Sequence, residues 1–238
     1  LFNAHQGQWN EQGELVYELH RRYAVFGNQA MEIFCLSLFA GASIHRGQVQ
    51  AALKDARTAY TMSFEIDNLW EQAHSAIFLS QALLDAGKYE EALHVAEKSV
   101  RDAKTLNALP ILYLHMMGSV YITLHLFEQA HAVYQEMSKL NQPPVPAYSE
   151  QIASRLCFIS ALNEHWEEAQ HYALQALEQR DYSRVGVLFN TETMRCFEIE
   201  VLLRTGEVER AEEDVRRFSE QVGSSRRYRI SYLRALAV

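Results

Sequence analysis

Ala86-Gly-Lys-Tyr-Glu-Glu-Ala-Leu-His-Val-Ala-Glu-Lys-Ser99 places a glycine, an aromatic residue two positions on, and small residues five, nine and twelve positions on. The same arrangement returns along the 238-residue chain, with turns starting at Gly7, Gly47, Gly87, His125, Glu164 and Gly206. Successive starts stay close to forty positions apart. Two residues after each start stands a large apolar side chain: Trp9, Val49, Tyr89, Phe127, Trp166, Val208. Five residues after it stand Gln12, Ala52, Ala92, Ala130, Ala169 and Ala211. A fixed period in this range is the mark of stacked helical hairpins, because a single hairpin cannot bury its apolar face alone.

Each unit reads as helix A running up to the turn and helix B running away from it. In the third unit the pattern predicts helix A over about Asn68–Ala86 and helix B over about Glu90–Lys104. Gly87 suits the left-handed residue that ends a helix. His125 and Glu164 take that place in units four and five, so those turns are expected to be tighter or more strained. Glu90, Glu91, Glu128, Glu167, Glu168 and Glu209 open the B helices, where acids oppose the positive helix end. Small residues recur at steps that share one helix face, as in Ala92, Ala96 and Ser99, and they let helix B approach helix A closely. On helix A the apolar columns keep phase with the turns: Ile44, Leu84, Ile122, Ala161 and Leu203 stand three before them. Glu198 interrupts a second column, formed by Phe39, Leu79, Met117 and Leu156. The segments between units are punctuated more loosely, and Asn141-Gln-Pro-Pro-Val-Pro146 is the clearest break.

The run 86–99, together with Glu164–Ala169 and Thr205–Ala211, resembles the tetratricopeptide repeat (TPR), although that family's repeat is shorter than the period seen here. The resemblance implies an all-α fold, a right-handed superhelix (an α-α solenoid) of about six hairpins, spanning 1–238 as a single array. Long repeats of this kind resemble the sensor sections of large bacterial signalling ATPases and of MalT-like, LuxR-type transcription activators. In those proteins the array stands between an ATPase domain and an output domain. The chain starts at Leu1, just before the first turn, and stops at Val238 within a fresh helix. This predicts a section of a longer multidomain protein.

Bulk composition narrows the function classes. Apolar residues make up 48% and charged residues 22%, which suits a globular chain. A net charge of −8 without a basic stripe argues against direct nucleic-acid binding by this segment. The one basic run, Arg226, Arg227, Arg229 and Arg234, reads as a solvated helix end or as a contact with a neighbouring domain or nucleic acid. Cys35, Cys157 and Cys196 sit apart in apolar stretches, so neither a disulfide framework nor a metal motif is expected, and a reducing, cytoplasmic setting fits. No segment has the length of a membrane span. Nucleotide-binding loops, His-Glu-x-x-His and nucleophile elbows are absent from the sequence, so no catalytic residue and no cofactor is expected. The spacings of His125, His131, His165 and His171 follow the repeat and predict no metal site.

The family resemblance places the binding groove on helices A, at positions thirteen, ten, six and two before each turn. The candidate set is Ser37, His45, His74, Gln81, Asp85, His115, Ser119, Thr123, Ser154, Phe158, Glu200 and Arg204. Its mixture of hydroxyl, amide, imidazole and acid with a few apolar contacts suits a protein, peptide or small-molecule effector. The set lacks the Lys/Arg cluster that captures a peptide carboxylate. Three readings follow: an effector-sensing or protein-interaction array that also touches flanking domains of its own chain, a stand-alone peptide receptor or adaptor, and, more remotely, an all-helical enzyme. The sequence leaves the ligand and the oligomeric state open.

Overall fold

A computed structural model describes residues 9–106, 111–142, 144–181, 191–222 and 226–238. The first turn at Gly7, with Ala4, lies outside the described residues, as do Pro110 and the side chains of Trp9, Gln12 and Arg226. The described residues form twelve α-helices and no strand: α1 Trp9–Phe26, α2 Gln29–His45, α3 Val49–Glu65, α4 Leu69–Asp85, α5 Tyr89–Thr105, α6 Ile111–Thr123, α7 Phe127–Leu140, α8 Pro146–Leu162, α9 Trp166–Gln179, α10 Thr191–Arg204, α11 Val208–Glu220 and α12 Arg226–Ala235. The even-numbered helices are the predicted A helices and the odd-numbered ones the B helices. The chain divides into two compact units, Trp9–Ala130 and a second containing His131–Val238. The division falls within α7, not at the proline-rich segment.

All five described turns are built alike. Gly47, Gly87 and Gly206 have φ of +72°, +72° and +86°, and His125 and Glu164 have +58° and +59°. In each, the turn residue donates to the carbonyl three residues back and the next residue donates to the carbonyl five back. In the third hairpin these are Gly87 N to Leu84 O at 3.0 Å and Lys88 N to Leu83 O at 2.9 Å. In the fifth they are Glu164 N to Ala161 O at 3.1 Å and His165 N to Ser160 O at 2.9 Å. This is the Schellman closure of a helix C-terminus. His125 and Glu164 therefore adopt the glycine geometry itself, with its strain, and not a tighter turn.

Two segments between units use the same device, contrary to the looser punctuation expected there. Asp67 (φ +49°) and Gly27 (φ +67°) close the first two. Asn68 N donates to Ser63 O and Asn28 N donates to Tyr23 O. Each asparagine then caps the following helix: Asn68 Oδ1 accepts from Trp70 N and Glu71 N, and Asn28 Oδ1 accepts from Met31 N. The left-handed residues Gly27, Gly47, Asp67 and Gly87 are therefore evenly spaced, and α2 to α5 share one length of 17 residues.

The small-residue columns are the seams. Ala52, Ala56, Ala59, Ala92, Ala96, Ala169, Ala173 and Ala176 are all buried, and Ser99 Oγ crosses to Ala73 O at 3.0 Å. In the last full B helix, α11, the column changes: Asp214 is fully buried, while Val215 is only half-buried. The A helices also pack on one another, α2 on α4 and α4 on α6. Gly41 makes the first of these contacts close. A Cβ there would stand 2.8 Å from the Phe78 ring.

Candidate ligand-binding surfaces

In the first unit, the start of α4 gathers an aromatic cluster against α2. The Trp70 and His74 rings lie 4.9 Å apart and nearly parallel, at 6°. Phe34 stacks on His74 at 5.1 Å and stands 6.3 Å from Trp70. Phe78 meets His74 edge-on at 5.4 Å. Spacing explains the grouping: Trp70, His74 and Phe78 recur at every fourth position and share one helix face. Burial pushes the His74 imidazole down to about 4, so it is neutral at physiological pH, and its buried Nδ1 has no hydrogen-bond partner among the described residues. Trp70 remains 43% exposed and forms the outer edge of the cluster.

Glu71 lies beside this cluster in the first turn of α4, only 4% exposed, and its Oε2 is unpartnered among the described residues. A glutamate at this position commonly reaches back to the N-cap N–H. Here Asn68 N already donates to Ser63 O, and the Glu71 carboxyl is turned inward, where its charge acts on Tyr113 of α6. Burial alone raises it to about 7.

The structure places eight of the twelve expected groove residues in this unit. Ser37, His45, Gln81, His115 and Ser119 are buried, His74 and Asp85 are half-buried, and Thr123 is exposed. Gln81 Nε2 donates to Asp85 Oδ1 at 2.8 Å, and Thr123 Oγ1 donates to Ser119 O at 2.9 Å. Ser37 Oγ, Gln81 Oε1 and Ser119 Oγ have no partner among the described residues. These side chains are thus not an open polar strip. Direct packing between neighbouring A helices closes most of them from solvent.

The other four belong to the second unit. Ser154 is buried on α8, Phe158 packs edge-on against Phe197 at 4.5 Å, and Arg204 bonds Glu200 at 2.7 Å while lying over the Trp166 ring. Nearby is a buried charge network that the sequence reading missed. Arg180 donates to Glu150 at 2.8 Å, to Asp214 at 3.0 and 3.1 Å, and to Glu198. Arg195 also binds Asp214, at 2.8 Å, and donates to Gln221. Burial opposes the Arg180 charge, yet Glu198, Asp214 and Glu150 hold it well above the usual arginine range. Glu198, the break in the apolar column, was the one sequence signal of this network. Of the basic run, Arg227 is tied inward to Glu192 at 3.0 Å and Arg234 lies over the Phe197 ring, while Arg229 is exposed. A cleft of about 220 Å³ lies among neutral amide and hydroxyl groups, including Gln135, Asn141, Gln175 and Tyr172.

Among the described residues no group of three or more His, Cys, Asp or Glu is placed to hold a metal ion, and no helix is long and apolar enough to cross a membrane. The three cysteines are buried free thiols.

No protein-family model matches the chain, and no curated protein sequence does. Solved structures do. The protein BtubC from P. vanneervenii matches with a TM-score of 0.62 at 16% identity, over 88% of this chain and 89% of that one. The apo form of the quorum sensor NprR from B. thuringiensis matches with a TM-score of 0.65 at 12% identity, over 95% of this chain and 63% of that one. A signal transduction ATPase with numerous domains from Pyrococcus horikoshii, which carries a tetratricopeptide repeat sensor, matches with a TM-score of 0.59 at 14% identity. That match covers 88% of this chain but 33% of the ATPase, so the chain spans about a third of its length. At these identities the likeness shows the fold, and the chain is a TPR-like all-α helical-repeat array.

Proposed function

We propose that this array is the effector-sensing or protein-interaction section of a bacterial signalling or transcriptional regulator, acting through its A helices without catalysis. The carrying observation is where unpartnered polar atoms lie. Ser37, Glu71, His74, Gln81 and Ser119 belong to α2, α4 and α6, the A helices of the first unit, and Glu192 Oε2 and Glu198 Oε1 belong to α10, an A helix of the second. A buried polar group without a partner costs about 1–3 kcal/mol. A fold that retains five on three adjacent helices is loaded for a ligand that satisfies them. The neighbours named as a quorum sensor and as a TPR sensor of an ATPase support the same reading. On this reading residues 1–238 work as one array, and Ser154, Phe158, Glu200 and Arg204 are the candidate binding residues within the second unit.

The test separates binding from folding. A pool of random octapeptides is passed over the immobilised chain, and retained peptides are measured by mass spectrometry. His74→Ala is expected to reduce retention at least fivefold with its thermal unfolding little changed. Ala92→Leu is expected to do the reverse, since overpacking a closed helix seam costs about 1–3 kcal/mol. Unfolding by His74→Ala together with an unchanged peptide profile in a refolded sample would make His74 a core residue and sink the proposal.

A further inference from the structure

We infer that the cleft lined by α7, α8 and α9 is a subsite for one uncharged carboxamide, the asparagine or glutamine side chain of a peptide or protein partner. The cleft lies within the second unit and is independent of the binding role proposed for the A helices of the first.

Three observations converge on it. The first is a wall that is fixed before any ligand arrives. Asn141, only 4% exposed, holds the connector from α7 to α8. Its backbone N–H donates to Met137 O at 2.9 Å, its Oδ1 accepts from Val145 N at 2.9 Å, and its Nδ2 donates to Ser149 Oγ at 3.0 Å. Pro144 and Pro146 stiffen the same segment. Beneath it, Ile152, Ala153 and Leu156 of α8 line the cleft as a buried apolar floor.

The second observation is size and neutrality. The cleft holds about 220 Å³, below the roughly 300 Å³ at which sites for whole small molecules begin. It suits a single side-chain-sized group. No Asp, Glu, Lys, Arg or His lines it among the described residues. A charged group entering it exchanges water for neutral dipoles and gains no counter-charge, which is costly.

The third is the hydrogen-bonding capacity left over at the rim. Ser138, Gln142 and Gln175 line the cleft, are exposed, and make no side-chain hydrogen bond among the described residues. Tyr172 is hydrogen-bonded to Gln135, and burial, aided by the Glu168 charge, holds its phenol above the ordinary range, so the group stays protonated. A free carboxamide offers a carbonyl acceptor beside two N–H donors. The group that satisfies both at once is another carboxamide, paired through two opposed N–H···O bonds. A hydroxyl carries its donor and acceptor on one atom and cannot span both, and a carboxylate only accepts.

N-acetylglutamine methylamide is the probe, with N-acetylglutamate methylamide as its charged isostere and glycerol as a neutral polyol. Proton–nitrogen correlation spectra of the nitrogen-labelled full chain read the side-chain NH2 signals of the cleft amides directly. The signals of Gln135, Gln142 and Gln175 are expected to shift and saturate with the glutamine probe, at a concentration at least tenfold lower than with the glutamate probe. Gln142→Leu and Gln175→Leu replace exposed side chains, so thermal unfolding should stay unchanged while the preference falls below threefold. Equal binding of the two isosteres, glycerol binding as tightly as glutamine, or a tenfold preference that survives both substitutions overturns the carboxamide subsite. So do shifts confined to residues outside the cleft, or none at all. Each of these results leaves the A-helix reading standing, because that rests on His74-dependent retention of octapeptides. Saturable glutamine binding at the cleft without octapeptide retention overturns the A-helix reading alone.

Discussion

Glu71 and His74 sit three residues apart on one helix and are pushed in opposite directions by the same cause. Burial raises the acid to about 7 and lowers the imidazole to about 4. Their effects on stability oppose each other. The folded state keeps the Glu71 proton that the unfolded chain has lost, so its contribution is complete below about pH 4.5 and is lost as pH rises through about 7. The folded state refuses the His74 proton that the unfolded chain takes, so stability is lost as pH falls from about 6.5 towards 4. Between these limits the two partly cancel, and each variant should unmask the other. In urea titrations Glu71→Gln should gain stability over the wild type as pH rises from 4.5 to 8, reaching about 1–3 kcal/mol. His74→Phe, which preserves the ring stack, should gain most at low pH and lose that advantage above 6.5. A pH-independent difference for both variants would show that neither group titrates as placed.

At the scale of elements, turn and seam set the helices, and both were legible because repetition writes them into the chain several times over. A column of Ala at a fixed distance from each turn is what close A–B packing requires, and the buried Ala52, Ala92, Ala130, Ala169 and Ala211 occupy it. The closures at Gly27 and Asp67 were harder to read, because they fall half a period away from the turn motif and one uses aspartate. Glu164 holds the left-handed conformation at φ +59°. Glu164→Gly should therefore raise stability by about 0.5–1 kcal/mol, the relieved strain exceeding the added chain entropy. No change in the denaturation midpoint would mean that strain is not stored there. The charge network was illegible for a different reason. Arg180 follows the end of α9, Glu198 lies on α10 and Asp214 on α11, and only one residue out of pattern, Glu198, betrayed them. Glu198→Ala leaves the buried Arg180 short of one acid and should cost about 3–5 kcal/mol in urea unfolding. Replacing Arg180, Glu198 and Asp214 together by apolar residues should recover much of that loss.

For the whole molecule, the regular recurrence of the turn dictates an array of hairpins, and the solved structures it resembles show the same fold. The candidate surface was only partly readable. Helix phase names the A-helix positions, but phase does not say whether a position opens to solvent or closes against the next A helix. Ser37, Gln81 and Ser119 close, whereas Thr123 and Arg204 stay open. Glu71 lies outside the phase positions, and only its burial and its unpartnered Oε2 single it out. On the function proposed, ligand binding engages the A helices of the first unit. Amide hydrogen exchange followed by mass spectrometry, with and without the retained octapeptides, tests this. Slower exchange is expected across Gln29–His45, Leu69–Asp85 and Ile111–Thr123, with little change in α3 and α5. Protection confined to the B helices, or none anywhere at saturating peptide, would contradict it.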